Sequence, residues 1–446
     1  MAKRPANLTY GVDDRPPLSA LLLLGVQHIF LMASTLVLPV VLVNEIGGSF
    51  EQVRAVVALS MLACGIGTIL QAFRWGVLGS GYLCPNLVGP NFFTVSMEAA
   101  WLGGLPLMRG MTIAAGLVEA VFARVIPRLR SLFPPEITGL VVLMVAVGLI
   151  PLGASKCFGI NFRGEPIRGV NLLVATLTVL IMVVINLRSH GKLKLYSVLI
   201  GMACGYFLSA VTGLLTGAQF VHVLSSPWVA LPHFKGMFSL DFRWSLLPTF
   251  AIVSITGALK SFGNLIMCEK VNDDDWQEPD MGRISGGLMA DSACVTLSGL
   301  LGGMASDTSA SNVALSSASG ATSRWVGVMA GGLFITLAFF PKIGSLLSIM
   351  PTPVMGAILV FVTCFMIMSG IQIILGTGPD PRKVFVIGIP LIFGLSLEIL
   401  PALYVGVPDW LQPLASSSLS LSTVLAVVLN QVLRSKEMQP TKAEAK

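Results

Sequence analysis

Long apolar runs, each closed by proline, glycine or charge, alternate along this chain with short polar joints. About twenty consecutive apolar residues are enough to cross a bilayer as a helix. Runs of that order fall at 20–43, 53–72, 84–101, 105–126, 136–154, 169–187, 195–216, 246–267, 284–304, 308–322, 325–345, 352–374, 384–402 and 411–433. The pattern predicts an all-α polytopic membrane protein with about 14 transmembrane segments. Two runs are interrupted. Segment three holds Pro85, Gly89 and Pro90, and segment ten is diluted by the small hydroxyl residues of 306–319. Each is the third span of a set of seven. Seven is odd, so the second set enters the membrane with opposite polarity, and two inverted repeats are expected, with short extended pieces in segments 3 and 10. Broken spans at corresponding positions point to a substrate site, because non-helical backbone at that depth persists only under protein or beside a wet cavity. A Ser/Ala-rich helix packed closely on its neighbours would also account for segment ten.

Composition narrows the class. Of 446 residues, 54% are hydrophobic and 11% charged, against about 25% charged in soluble domains. The net charge of +6 gathers at segment ends and calls for no nucleic-acid partner. Seven scattered cysteines match neither a disulfide framework nor a metal spacing, so no metal site and no cofactor is expected. Nucleophile elbows, His-x-x-x-His helices and phosphate loops are absent from the sequence, which argues against an enzyme and offers no catalytic residues. The polar stretch 1–17 lacks a signal-peptide core, so the first run is read as a retained span. Counted from an inside N-terminus, roughly 19 Lys/Arg fall on the cytoplasmic side and about eight opposite. Both termini are therefore expected in the cytoplasm, and the chain in the inner membrane.

One residue carries the chemistry. Lys260 sits near the middle of the apolar stretch 246–267. A lysine in hydrocarbon costs at least about 3 kcal/mol and marks a functional site by default. Snorkelling is the bland alternative, but the charged end of the helix lies about 14 Å away, beyond the stem's reach. Thr256, Lys260 and Asn264 share one face through i, i+4 spacing. An ammonium offers three donors and no acceptor, which favours an anionic or acceptor-rich ligand.

Several local patterns coincide: Gln27-His28 in segment one, Pro85 with Gly89-Pro90-Asn91-Phe92 in segment three, Gly287-Leu288-Met289-Ala290-Asp291 in segment nine, Ser311-Asn312-Val313-Ala314 with Ser319 in segment ten, and Pro351-Thr352-Pro353-Val354-Met355-Gly356 opening segment twelve. Together they resemble the nucleobase–ascorbate transporter family, of the xanthine/uracil permease type, over about residues 18 to 375. The departures are informative. Where that family carries Glu-x-x-Gly-Asp in helix eight, this chain has Lys260-Ser261-Phe262-Gly263-Asn264, and the usual Gln or Glu of helix ten is Ser311.

The resemblance implies a core domain (18–127 and 218–345) and a gate domain (128–217 and 346–434), with an N-terminal tail 1–17 and a C-terminal tail 435–446. It also implies alternating access by rocking, and a homodimer. Substrate contacts would come from Lys260, Thr256, Asn264, Ser311, Asn312, Gly89, Pro90, Asn91, Phe92 and Phe262, the phenylalanines supplying a stacking wall. His28, Gln27, Asp307 and Ser319 are candidates for coupling to a proton or Na+, or for gating. For His28 the stronger reading is a hydrogen-bonded packing residue beside Gln27, and Asp291 reads as a structural acceptor. The expected cargo is an oxopurine such as urate or xanthine. The alternatives are another small organic or inorganic anion on the same fold, and a non-transporting binding homologue.

Overall fold

The computed structural model describes residues 4–5, 8–129, 134–159, 168–188, 196–232, 239–277, 279–375, 381–404, 406–407 and 418–433; the tail 435–446 lies outside them. In chain order the elements are α1 (Leu18–Ser34), α2 (Val37–Glu45), α3 (Phe50–Ala72), β1 (Asn86–Val88), α4 (Phe93–Leu129), α5 (Pro135–Phe158), α6 (Gly169–Arg188), α7 (Ser197–Val211) and α8 (Gly217–Ser225). They continue as α9 (Leu247–Asn272), α10 (Met281–Leu301), β2 (Ser306–Thr308), α11 (Ala310–Ser319), α12 (Arg324–Ala338), α13 (Pro341–Ser348), α14 (Thr352–Leu375), α15 (Pro381–Ile399) and α16 (Ser418–Val432).

Among the described residues, eight helices are long and apolar enough to cross a membrane, and the bent pair α12–α13, turned by 75°, makes a possible ninth. Fourteen separate spans were expected, and the difference has identifiable causes. Pro90–Val125 forms one 36-residue stretch covering predicted segments three and four. A straight helix of that length would run about 54 Å, well beyond a bilayer core of about 30 Å. It is broken at Gly103 and Gly104, where Gly104 takes φ 69°, ψ −167°. Segment ten is a strand followed by a 10-residue helix, and α7 and α16 have 15 residues each. These pieces are shorter than an uninterrupted span needs.

The chain divides into two compact units, Met1–Val125 with Leu149–Phe365, and Ile126–Gly148 with Met366–Lys446. In the second, Gly139 and Gly370 let two helix backbones meet, Gly394 accommodates the Ser422 hydroxyl, and Arg382 pairs with Glu136 at 3.8 Å. In the first, α3 is the central helix, packed by α10, α12, α13 and α2. Gly65 of α3 lies so close to α12 that an added Cβ would stand 2.8 Å from the Gly331 carbonyl, the small-residue contact through which membrane helices approach.

Helix ends are capped by side chains chosen for it. Ser49 and Gln52 form a reciprocal capping box on α3. Asp280 accepts from the Gly282 and Arg283 amides at the start of α10, and Ser309 accepts from Asn312 at the start of α11. Both helices stop at glycines in the left-handed region, Gly302 (φ 95°) and Gly320 (φ 65°). Buried Arg109 donates to the Gly299, Leu300 and Ser239 carbonyls, which satisfies the otherwise open end of α10.

Two sequence expectations change here. Lys156, one of the eight or so Lys/Arg assigned to loops opposite the cytoplasmic side, lies inside α5, buried and paired with Glu45 of α2. The described part of the N-terminal tail is strapped to the chain before α12: Thr9 and Tyr10 donate to the Gly320 carbonyl, Thr322 and Arg324 donate back to Tyr10 and Val12, and Arg324 pairs with Asp13.

Candidate functional site

The two broken spans meet. β1 and β2 pair antiparallel, with Asn86 opposite Thr308, Leu87 opposite Asp307 and Val88 opposite Ser306. Gly89 N–H to the Ala305 carbonyl (2.9 Å) and Ser309 N–H to the Pro85 carbonyl (3.0 Å) extend the ladder at both ends. An isolated two-stranded ribbon is marginal in water, so this one is held by what surrounds it: all six strand residues are buried. Gly89 is required by close approach, since a Cβ there would stand 2.8 Å from the Asp307 Cβ.

Side chains from four elements converge on the ribbon. Lys260 of α9 donates to Asp307 Oδ2 at 2.6 Å, and Asn91 Nδ2 donates to the same oxygen at 2.7 Å. Asp307 is 1% exposed and the Lys260 side chain 22%, so the ammonium lies at the accessible edge with the carboxylate behind it. Asp307 Oδ1 is buried and makes no hydrogen bond. Asn264, one turn beyond Lys260, donates to Thr308 Oγ1 at 2.9 Å. Ser261 donates to Asp291 Oδ2 and contacts Thr308 Oγ1 at 2.6 Å. Asn86 Nδ2 donates to Asp291 Oδ1 at 2.7 Å. Alongside, His28 Nδ1 and Asn312 Oδ1 are 2.7 Å apart, with Asn312 Nδ2 donating to Ser309 Oγ at 2.9 Å.

The sequence candidates thus fall into three groups. Lys260, Asn264, Asn91, Asp307, His28 and Asn312 are tied to the ribbon or to the helix it leads into. Gly89 and Pro90 shape the backbone there. Thr256 is buried with its hydroxyl returned to the Ile252 carbonyl at 2.8 Å, Ser319 donates to the Ser316 carbonyl of its own helix, Gln27 is buried, and Ser311 is exposed. Phe92 is packed against Gly257 and 1% exposed, which leaves no open ring face, and Phe262 is half-buried.

The larger revision concerns charge. The sequence presents Lys260 as a lone cation; the fold supplies Asp307 as its counter-ion, 47 residues on. A second feature was overlooked. Glu119 of α4 is 1% exposed and lies opposite Asp291, between the α4–α10 contacts of Gly116 with Ser292 and Ala123 with Ser285. The signal that singles out Lys260, an ionisable residue inside an apolar span, applies equally to Glu119. Among the described residues no His, Cys, Asp and Glu group is arranged to hold a metal ion.

Comparison with known proteins gives the family. The xanthine/uracil permease model, described as "Permease family", matches residues 19–403. The chain belongs to this permease family. It is 29% identical to a Clostridium perfringens protein named as a purine permease, covering 96% of this chain and 93% of that one. It is 26% identical to the xanthine permease XanP of Escherichia coli K12, covering 96% and 95%. Among solved structures, the transmembrane domain of the cyanobacterial bicarbonate transporter BicA superposes with a TM-score of 0.56 at 12% identity, over 95% of this chain and 99% of that chain. At that identity the likeness is one of fold. The protein is a multi-pass membrane permease, not an enzyme.

Proposed function

We propose that this protein is a secondary transporter that moves an oxopurine, xanthine or urate, across the cytoplasmic membrane by alternating access. The observation that carries the reading is the Lys260–Asp307 pair beside the β1–β2 ribbon. Because Asp307 offsets its charge, the Lys260 ammonium meets a ligand as a hydrogen-bond donor rather than as net positive charge. A neutral ring rich in carbonyl acceptors satisfies it, and an anion is not required. Lys260, Asn264, Asn91 and Asn312 with the Gly89–Pro90 backbone would form the binding edge, and His28 would brace Asn312. Thr256, Ser311 and Phe262 would act from the walls, Phe92 packing behind the ribbon, with Gln27 and Ser319 supporting.

The antiparallel ribbon fits two segments related by an in-plane twofold axis, and so supports inverted repeats. A core (18–127, 218–345) rocking against a gate (128–217, 346–434), both termini in the cytoplasm, and a homodimer complete the proposal. A coupling proton or Na+ belongs with it.

The test is competition for radiolabelled xanthine in proteoliposomes of the purified protein. Unlabelled xanthine and urate are expected to displace it, with uracil and ascorbate weaker. Uracil outcompeting both oxopurines would reject the reading. The alternative cargo is another small organic or inorganic anion on the same fold. Bicarbonate or sulfate displacing xanthine would select it, and ligand binding without accumulation would mark a non-transporting homologue.

A further inference from the structure

Helices α4 and α10 run antiparallel at close contact along one line. A Cβ on Gly299 would stand 2.8 Å from the Arg109 carbonyl, one on Gly116 would stand 2.9 Å from the Ser292 carbonyl, and Ser285 Oγ donates to the Ala123 carbonyl at 3.2 Å. Glu119 falls between the last two contacts, opposite Asp291, and each residue is 1% exposed.

Two ionised carboxylates buried at one helix–helix contact repel each other, so the juxtaposition of these side chains requires a proton on one of them. The surrounding bonds say which member carries it. Both Asp291 oxygens already accept, Oδ1 from Asn86 and Oδ2 from Ser261. Glu119 Oε1 has no hydrogen-bond partner. Glu119 therefore carries the proton and Asp291 is the carboxylate. The charged and titratable groups facing the pair are Asp307 of β2, Lys260 of α9, and the thiols of Cys294 in α10, Cys64 in α3 and Cys84 before β1. Lys260 is the cation among them, and it is bonded to Asp307. A second uncompensated carboxylate at this depth would be costly.

We propose that Glu119 carries the coupling proton of the transporter, held against Asp291. The inference rests on the transport reading above. The link to the substrate site is a one-way chain of donors: Asn264 to Thr308, Thr308 to Ser261, Ser261 to Asp291. When the Glu119 O–H bond breaks and water takes the proton, two carboxylates face each other and repel. The chain that positions β2, and with it Asp307, is then displaced through Asp291. Proton binding from the opposite side removes the repulsion.

The experiment reads protons moved per xanthine in proteoliposomes, with a pH-sensitive dye and labelled xanthine. Wild type is expected to move protons with xanthine. In E119Q, protons per xanthine fall to none, whatever exchange rate remains, and E119D restores coupling in part. Xanthine-linked proton movement persisting in E119Q overturns the proposal, as does wild-type xanthine transport without protons. Wild type that neither binds nor exchanges xanthine instead rejects the transport reading. The infrared carbonyl band of a protonated carboxyl, compared between wild type and E119D, gives a second readout should E119Q not be recovered. A missing band, or one unmoved by the aspartate, also overturns the assignment.

Discussion

At the residue scale the site is governed by charge compensation. Removing one partner of a buried ion pair costs about 3–5 kcal/mol, because the other charge is stranded, whereas removing both is often nearly neutral. Lys260→Met is therefore expected to destabilise the protein by that order, and the double variant K260M/D307N to recover much of the loss. Chemical or thermal unfolding in detergent measures the cycle, and additive effects would show that the two do not interact. Asp307→Asn by itself leaves a bare ammonium at the accessible edge. It should raise the ratio of urate to xanthine affinity about tenfold at neutral pH, near 1.4 kcal/mol, as read by competition binding. Lys260 was legible from sequence because a lysine amid apolar residues stands out by itself. Asp307 appeared as a residue at the mouth of segment ten, since no local pattern says that strand β2 turns its carboxylate to α9.

At the element scale the decisive units are the two three-residue strands. Their breakpoints were readable, because Pro85, Gly89 and Pro90 cannot continue a helix at that spacing. That the two pieces pair with each other was not, since strand pairing is a contact between segments far apart in the chain. Gly89 makes this testable. A Gly89→Ala methyl would stand 2.8 Å from the Asp307 Cβ and 3.2 Å from the Phe92 ring. Overpacking of this kind costs about 1–3 kcal/mol, and because it strikes the ribbon, xanthine binding should weaken more than global stability falls. Equal losses in a thermal-shift titration would argue against a site at the ribbon. At Gly103–Gly104 the boundary read between segments 84–101 and 105–126 coincides with non-helical backbone that separates two helices, a break the adjacent glycines make locally legible.

At the scale of the whole molecule, buried long-range ties hold the first unit together. Lys156 joins the end of α5 to Glu45 of α2 with both side chains under 10% exposed. Lys156→Met should therefore destabilise by about 3–5 kcal/mol with little change in xanthine affinity once folded. An unchanged unfolding midpoint would refute that role. The sequence by itself determined that the chain crosses a membrane many times, where its spans break, and that a cation lies among them. Those properties follow from local composition and backbone stereochemistry, which neighbours along the chain settle. Tertiary structure alone decided which carboxylate neutralises Lys260, that Glu119 confronts Asp291, and that Lys156 is interior. Charges in a low-dielectric interior are set by whichever elements come to abut them, and that information is not carried by any single stretch of residues.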